Sequence, residues 1–268
     1  LSKNAQKRLL KAERRAETKF LRRAREKEVK KQKKRARAEL QADDGPPEKK
    51  TRTEKRTIKP FNARVVIDLG FDELMSAKEC VSLCSQLSHT YSSHRKSSTP
   101  FSSVVFTSLH GRVKEQLDGA NQGAYRRWRY VQFWEDGYEK LWSSLQGSTA
   151  GDATAGSPSE PDPPVQFTEQ SKVVYLTADS KEELEELKEG ETYIIGGIVD
   201  RNRYKNLCLE KASRQNIRTA SLPISRYLSE LTTRKVLTVN QVFDILLCWV
   251  ERRDWEAAIR DVMPQRKM

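Results

Sequence analysis

The chain has 268 residues, 36% of them hydrophobic and 32% charged, with a formal net charge of +13. That balance is polar for one compact globule, so part of the chain is expected to lie outside any packed core. No run of eighteen apolar residues exists, which excludes a membrane-spanning helix.

The charge is concentrated at one end. Residues 1 to 59 hold 23 Lys and Arg against 9 Asp and Glu, and the remainder is close to neutral. A basic arm on a neutral domain points to a polyanionic partner. Residues 2 to 40 read as one highly charged helix, opened by Ser2 and ended by Gly45-Pro46-Pro47. Its apolar positions are too sparse for a coiled-coil seam. Lys30, Lys31, Lys33 and Lys34 are candidate phosphate contacts, since cations along such a helix release counterions from RNA. A solvated helix or a nuclear-import signal would look the same. Glu13, Glu17, Glu26 and Glu28 argue against a mitochondrial presequence, and no apolar stretch suggests a signal peptide. The chain opens on Leu1, so a preceding leader stays open. Four cysteines do not make a disulfide framework, which favours a reducing compartment, nucleus or cytoplasm.

The segment from Asp43 to about Lys59 has linker composition, and a folded domain is expected over 60–268. Val65, Val66, Ile67 and Leu69 form a buried strand. Gly70 and Asp72 turn it into a helix that runs to about His94, with Cys80, Leu83, Cys84 and Leu87 on one face. Residues 102–108 give a second strand and 125–134 supply a third; 138–145 read as a short helix. Residues 147–164 are low in complexity and lack large apolar side chains, so they are expected to be a disordered loop inside the domain. Strands then fall near 172–177, 192–197 and 217–221, with helices near 181–188 and 203–215. This alternation predicts an α/β fold with a mostly parallel sheet covered on both faces. Val239, Val242, Phe243, Leu246, Leu247 and Val250 mark an amphipathic helix over 238–252, and Asp254 opens a last one.

Candidate chemistry gathers at the strand ends. Ile194 to Asp200 is a buried strand running into Gly196-Gly197, where the backbone can be approached closely. An ordinary strand-end turn would read the same way. Neither a dinucleotide fingerprint nor a P-loop is present. Tyr125-Arg126-Arg127-Trp128-Arg129-Tyr130 interleaves aromatic and basic side chains, as surfaces that stack bases and pair phosphates do, or as an edge strand does. Cys80, Cys84, His89 and His94 do not have the spacing of a zinc finger, and no metal is expected.

Four blocks in order, VVYLTAD, YIIGGIVDRNRYK, TASLPI and TTRKVLTVN between residues 173 and 240, resemble the family of tRNA methyltransferases that modify N1 of the purine at the ninth nucleotide. That family belongs to the knotted SPOUT superfamily. The resemblance implies a C-terminal trefoil knot, which general topology rules would not propose. It implies S-adenosyl-L-methionine as methyl donor, tRNA as substrate and a monomer as the working form. It places Asp200 beside the target base. It carries cofactor-binding roles onto Leu176, Thr177, Gly196, Gly197, Asp200, Arg201, Asn202, Arg203, Tyr204, Cys208, Leu222, Lys235, Val236, Leu237 and Thr238. Arg126, Arg127, Arg129, Arg201 and Arg203 are candidate RNA contacts. The expected activity is formation of N1-methylguanine. A non-catalytic tRNA-binding protein that keeps the fold, or an N1-methyladenine activity at the same nucleotide, stays open.

Overall fold

The computed structural model describes residues 58–143, 168–227 and 236–263, together with Thr18, Leu21, Arg25, residues 27–29, Lys31 and Gln32. The chain divides into two units, Leu1–Arg56 and Thr57–Met268. The described residues of the first are helical and exposed. The low-complexity stretch at 147–164, Lys30, Lys33, Lys34 and residues 228–235, Lys235 among them, lie outside the described residues.

The second unit is built on strands β1 (Phe61–Asp68), β2 (Phe101–Thr107), β3 (Val131–Phe133), β4 (Val173–Leu176), β5 (Thr192–Gly196) and β6 (Arg218–Ala220). They form one six-stranded sheet in the order β3-β2-β1-β5-β4-β6, with every pairing parallel. Side chains alternate across it. Val65 and Ile67 enter one apolar cluster, and Val66 enters the other. This is why the middle of β1, Val65 to Ile67, reads as an unbroken apolar run.

The larger cluster is covered by helices α1 (Ala77–Lys96), α6 (Val239–Arg252) and α7 (Trp255–Val262). Leu83 and Leu87 of α1, Phe243 and Leu246 of α6, and Ile259 of α7 are buried in it. On the other face, Tyr138, Leu141 of α3 (Lys140–Ser143) and Ala212 of α4 (Leu207–Arg214) cover Val66, Val105, Tyr175 and Ile194. Two further helices, α2 (Gly111–Gly119) and the short α5 (Ile224–Tyr227), complete the unit. Capping follows local chemistry: Ser76 N–H donates to Glu79 Oε2 at 2.8 Å, and Thr238 N–H to Gln241 Oε1 at 3.1 Å.

Two expected elements differ. Residues 181–188 form an extended connection rather than a helix. Leu184 N–H donates to Ser221 O, Ser221 N–H to Glu182 O, and Trp255 Nε1–H to Glu185 O. Tertiary partners thus satisfy the backbone that a helix would have satisfied, and they bury Leu184 and Leu187. The expected strand over 125–134 shrinks to β3, because Ala124–Arg127 is a 3-10 turn that places Tyr125 in the core.

Candidate active site

Parallel strands direct their carboxyl ends to one edge of the sheet, where open α/β folds place ligands. Leu176, Gly196 and Ala220 close β4, β5 and β6, and the pairs Leu176–Ile195 and Leu176–Ala220 are in register. The loops that follow carry Thr177, Asp200 and Leu222. Thr177 N–H donates to Ala220 O at 2.9 Å, which joins two of these loops.

The protein's own packing demands both glycines. A Cβ on Gly196 would stand 2.6 Å from Cys208 Sγ, and one on Gly197 2.7 Å from Asp68 O. Gly197 N–H donates to that same carbonyl at 2.7 Å, pinning the loop to the end of β1. Cys208 lies in the first turn of α4, and burial pushes its thiol up to about 12, so it is no ready nucleophile.

Asp200 is 9% exposed. Its Oδ1 accepts from Asn202 N–H at 2.8 Å and its Oδ2 from Tyr204 N–H at 2.9 Å. Arg203 N–H donates back to Asp200 O at 3.2 Å. The loop therefore folds around its own carboxylate. Arg201 and Asn202 adopt left-handed φ of 55° and 62°, a conformation uncommon for arginine. The loop leans on the connection that follows β1: Val199 N–H meets Met75 Sδ, Tyr204 Oη donates to Leu74 O, and the Arg203 guanidinium donates to Leu74 O and Glu79 Oε2.

Beneath the strand ends lies a polar cluster that the sequence did not single out. Asp68, fully buried at the end of β1, accepts from Gly70 N–H at 3.0 Å, Tyr175 Oη at 2.8 Å and Lys211 Nζ at 2.6 Å. Lys211 Nζ lies 4.8 Å from the Phe71 ring centre and 5.0 Å from that of Tyr138. Burial first, and then the Asp68 charge, push the Tyr175 phenol well above its ordinary range, so it stays a donor. The Tyr175 and Lys211 contacts each span more than a hundred residues of sequence, and no local motif announces them.

The remaining candidates divide by place. Val236, Leu237 and Thr238 lead into α6, whose first turn is tied to α1 by Val239 N–H to Gln86 Oε1 at 3.0 Å. Leu222 and Leu237 are partly exposed and pack against the core below. Arg126, Arg127 and Arg129 sit elsewhere, before the amino end of the edge strand β3. Arg126 pairs with Asp118 at 2.7 Å, Arg127 and Arg129 stand at the surface, and Tyr130 beside them is 66% exposed. Trp128 stacks on Tyr91 at 4.5 Å, so the segment is anchored under its charged face.

Three of the four cysteine and histidine side chains on α1 have partners within the protein. Cys80 and Cys84 are buried donors to Asp72 Oδ1 and Val113 O, and His94 Nε2 meets Phe101 O at 3.0 Å. Among the described residues, no three His, Cys, Asp or Glu side chains converge on a point.

The site's donor set fits an S-adenosyl group. Half-buried apolar side chains such as Leu222 and Leu237, and main-chain N–H and C=O groups at the strand ends, are of the chemical kinds that hold such a group.

Known proteins resemble this chain in sequence and in fold. A tRNA (guanine(9)-N1)-methyltransferase of Cryptococcus neoformans var. neoformans is 40% identical over 310 aligned residues, covering 100% of this chain and 79% of its own. One from Schizosaccharomyces pombe is 38% identical over 245 residues, covering 90% and 72%. Full-length spTrm10 in complex with SAH superposes with a TM-score of 0.64 at 38% identity, over 78% of this chain and 98% of that one. A dual-specific Trm10 from Thermococcus kodakaraensis shares the fold at TM-score 0.51 and 17% identity, over 75% and 99%. The family model for tRNA (guanine(9)-N(1))-methyltransferase TRM10/TRM10A matches residues 1–268. With that match over its whole length, and relatives 38–40% identical, the chain belongs to that family.

Proposed function

We infer that the chain transfers a methyl group from S-adenosyl-L-methionine to N1 of the guanine at the ninth nucleotide of tRNA. Family membership over the whole length carries this reading. The Asp200 loop, seated where parallel strands end, supports it.

The chemistry fits the residues. N1 of guanine carries a proton at neutral pH, so its lone pair is not free to attack. Each Asp200 oxygen accepts a hydrogen bond from its own loop and keeps a second lone pair. Asp200 is proposed to take the N1 proton as the N1–methyl bond forms. When bound, S-adenosyl-L-methionine supplies a methyl on a sulfonium that departs as a neutral thioether, so no metal is needed. Gly196, Gly197, Leu176, Thr177, Leu222, Val236, Leu237 and Thr238 are proposed to hold it. Lys235, outside the described residues, and Arg201, Asn202, Arg203, Tyr204 and Cys208 complete the proposed set.

Arg127 and Arg129 at the surface, with Arg126, Arg201 and the lysines of the basic arm, are proposed to meet tRNA phosphates. The proposed working form is a monomer in the nucleus or cytoplasm, with a knotted C-terminal region. The test is incubation with labelled S-adenosyl-L-methionine and an unmodified tRNA transcript, followed by digestion to nucleosides. Labelled 1-methylguanosine supports the reading, and tRNA binding without any methylated nucleoside contradicts it.

A further inference from the structure

Asp200 is held in two ways. The first is internal: its carboxylate takes the Asn202 and Tyr204 amides. The second reaches across the molecule. Arg203 Nη2 donates to Leu74 O at 3.2 Å and to Glu79 Oε2 at 3.0 Å, and its guanidinium lies 5.5 Å from the Tyr204 ring centre. Tyr204 Oη donates to the same Leu74 carbonyl at 3.4 Å.

Glu79 is suited to be an anchor. It is the third residue of α1, and the same Oε2 accepts from Ser76 N–H at 2.8 Å and Ser76 Oγ at 2.9 Å. Its side chain is 13% exposed, against 48% for Arg203. Those Ser76 bonds, and then the Arg203 guanidinium, hold its carboxyl down to about 2, which favours the charged form that pairs with Arg203. The anchor sits on a helix whose Leu83 and Leu87 are fully buried, so it is fixed to the core. The loop it holds contains consecutive left-handed residues, Arg201 and Asn202. A loop in that conformation keeps its shape only where its surroundings impose it.

We propose that Arg203 and Glu79 form a latch that positions the Asp200 loop against the start of α1, and that Arg203 serves the reaction through this latch rather than by holding a tRNA phosphate. This rests on the methyltransferase reading for its consequence, but the latch itself is a structural statement with its own readout. The latch fixes where the Asp200 carboxylate stands relative to the bound base. It contributes nothing to the affinity for the tRNA body. The Arg203 guanidinium and the Glu79 carboxylate are therefore positioning groups, and any part Arg203 has in holding the cofactor falls to its main chain.

Four full-length variants test it: Glu79→Ala, Arg203→Ala, the double variant, and Ser76→Ala. The last weakens the helix cap and leaves the Arg203–Glu79 pair in place. Two measurements are made on each. One is the single-turnover rate of methyl transfer beside the dissociation constant for tRNA at two salt concentrations. The other is hydrogen exchange of the peptide spanning 199–205. The latch predicts a rate loss of about tenfold in Glu79→Ala and in Arg203→Ala alike, no greater in the double variant, with tRNA affinity and its salt slope unchanged. Exchange in 199–205 rises in the same three variants. Ser76→Ala melts earlier but keeps its rate and its protection. The proposal is overturned if Arg203→Ala weakens tRNA binding and lowers the salt slope by the amount due to one phosphate while Glu79→Ala keeps wild-type rate and protection. It is also overturned if the two rate losses multiply in the double variant. A wild-type protein that methylates no transcript would sink the methyltransferase reading instead, and the exchange data would still decide the latch.

Discussion

Replacing Gly196 with alanine separates two reasons for a glycine at a strand end, close approach by a ligand and close approach by the protein itself. The added Cβ would lie 2.6 Å from Cys208 Sγ, 3.5 Å from Tyr175 Oη and 3.7 Å from Phe71 Cε2. The first distance is on the order of 1 Å short of ordinary contact, and the other two are unstrained. Overpacking of this size costs roughly 1–3 kcal/mol. In a folded unit this large, each kcal/mol lowers the melting temperature by about 2–4 °C. The cost comes from one sulfur atom, so Cys208→Ala removes it. That change alone costs about 1 kcal/mol for the missing buried atom. The double variant is expected to melt with Cys208→Ala and to bind S-adenosyl-L-methionine within a few-fold of it, a coupling of opposite sign to the Gly196→Ala loss. Gly197 has no such remedy. Its Cβ would meet main-chain Asp68 O at 2.7 Å and Leu69 Cδ2 at 2.8 Å, and Gly197→Ala is expected to be the more destabilising change. Thermal melts and titration calorimetry on the four variants decide the matter. A Gly196→Ala protein that melts like wild type would refute the packing argument. A double variant of restored stability that has lost cofactor affinity by more than tenfold would show that the ligand needs the glycine.

Other parts of the molecule can be tested in the same way. Lys211→Met leaves the fully buried Asp68 carboxylate with only Gly70 N–H and Tyr175 Oη, and should cost roughly 3–5 kcal/mol in urea denaturation at pH 7; a loss below about 1 kcal/mol would contradict the ion pair's role. Burial lowers the pKa of His94 below its ordinary value of about 6.5, so the native state keeps it neutral while the unfolded chain takes up a proton. Stability from this group is present above about 6.5 and is lost as pH falls from there to the native-state value. The stability difference between wild type and His94→Gln should therefore shrink as pH falls below about 6.5, and a constant difference would refute the assignment. Deleting residues 1–40 should weaken tRNA binding and flatten its dependence on salt, by about 0.7–0.9 in log–log slope for each phosphate the arm neutralises; equal affinity at every salt concentration would remove the arm from the account.

The sheet could be read from the sequence because its inner strands are buried on both faces. Val65 to Leu69, Val173 to Leu176 and Tyr193 to Ile195 are continuous apolar runs but for Asp68, and each is a strand or strand end. The amphipathic pattern of 238–252 marks α6 within a residue. Residues 181–188 mislead because KEELEELK has helical propensity and spaces Leu184 and Leu187 as a helix would. Distant partners, Ser221 and Trp255, impose an extended path there. Asp200 stands out through the family blocks rather than through local physics, since a strand-end Asp also suits a turn. The Asp68–Tyr175–Lys211 cluster and the Arg203–Glu79 pair were out of reach, because they join residues 107 to 143 and 124 positions apart. One signal for the latter was available: Ser76 and Glu79 have the spacing of a capping box, which marks Glu79 as a carboxylate fixed at a helix start.

The central claim is methyl transfer to N1 of a guanine at one nucleotide, with Asp200 beside it. The direct measurement is reverse transcription across tRNA transcripts carrying G, A, C or U at the ninth position, after incubation of wild-type protein and Asp200→Asn with S-adenosyl-L-methionine. An N1-methyl purine blocks the pairing edge and stops the polymerase. A stop at the ninth nucleotide of the G transcript with wild-type protein, weakened by about 10²–10⁴ in rate with Asp200→Asn, is the result predicted. A stop of equal rate with Asp200→Asn, or one on the A transcript alone, would contradict it.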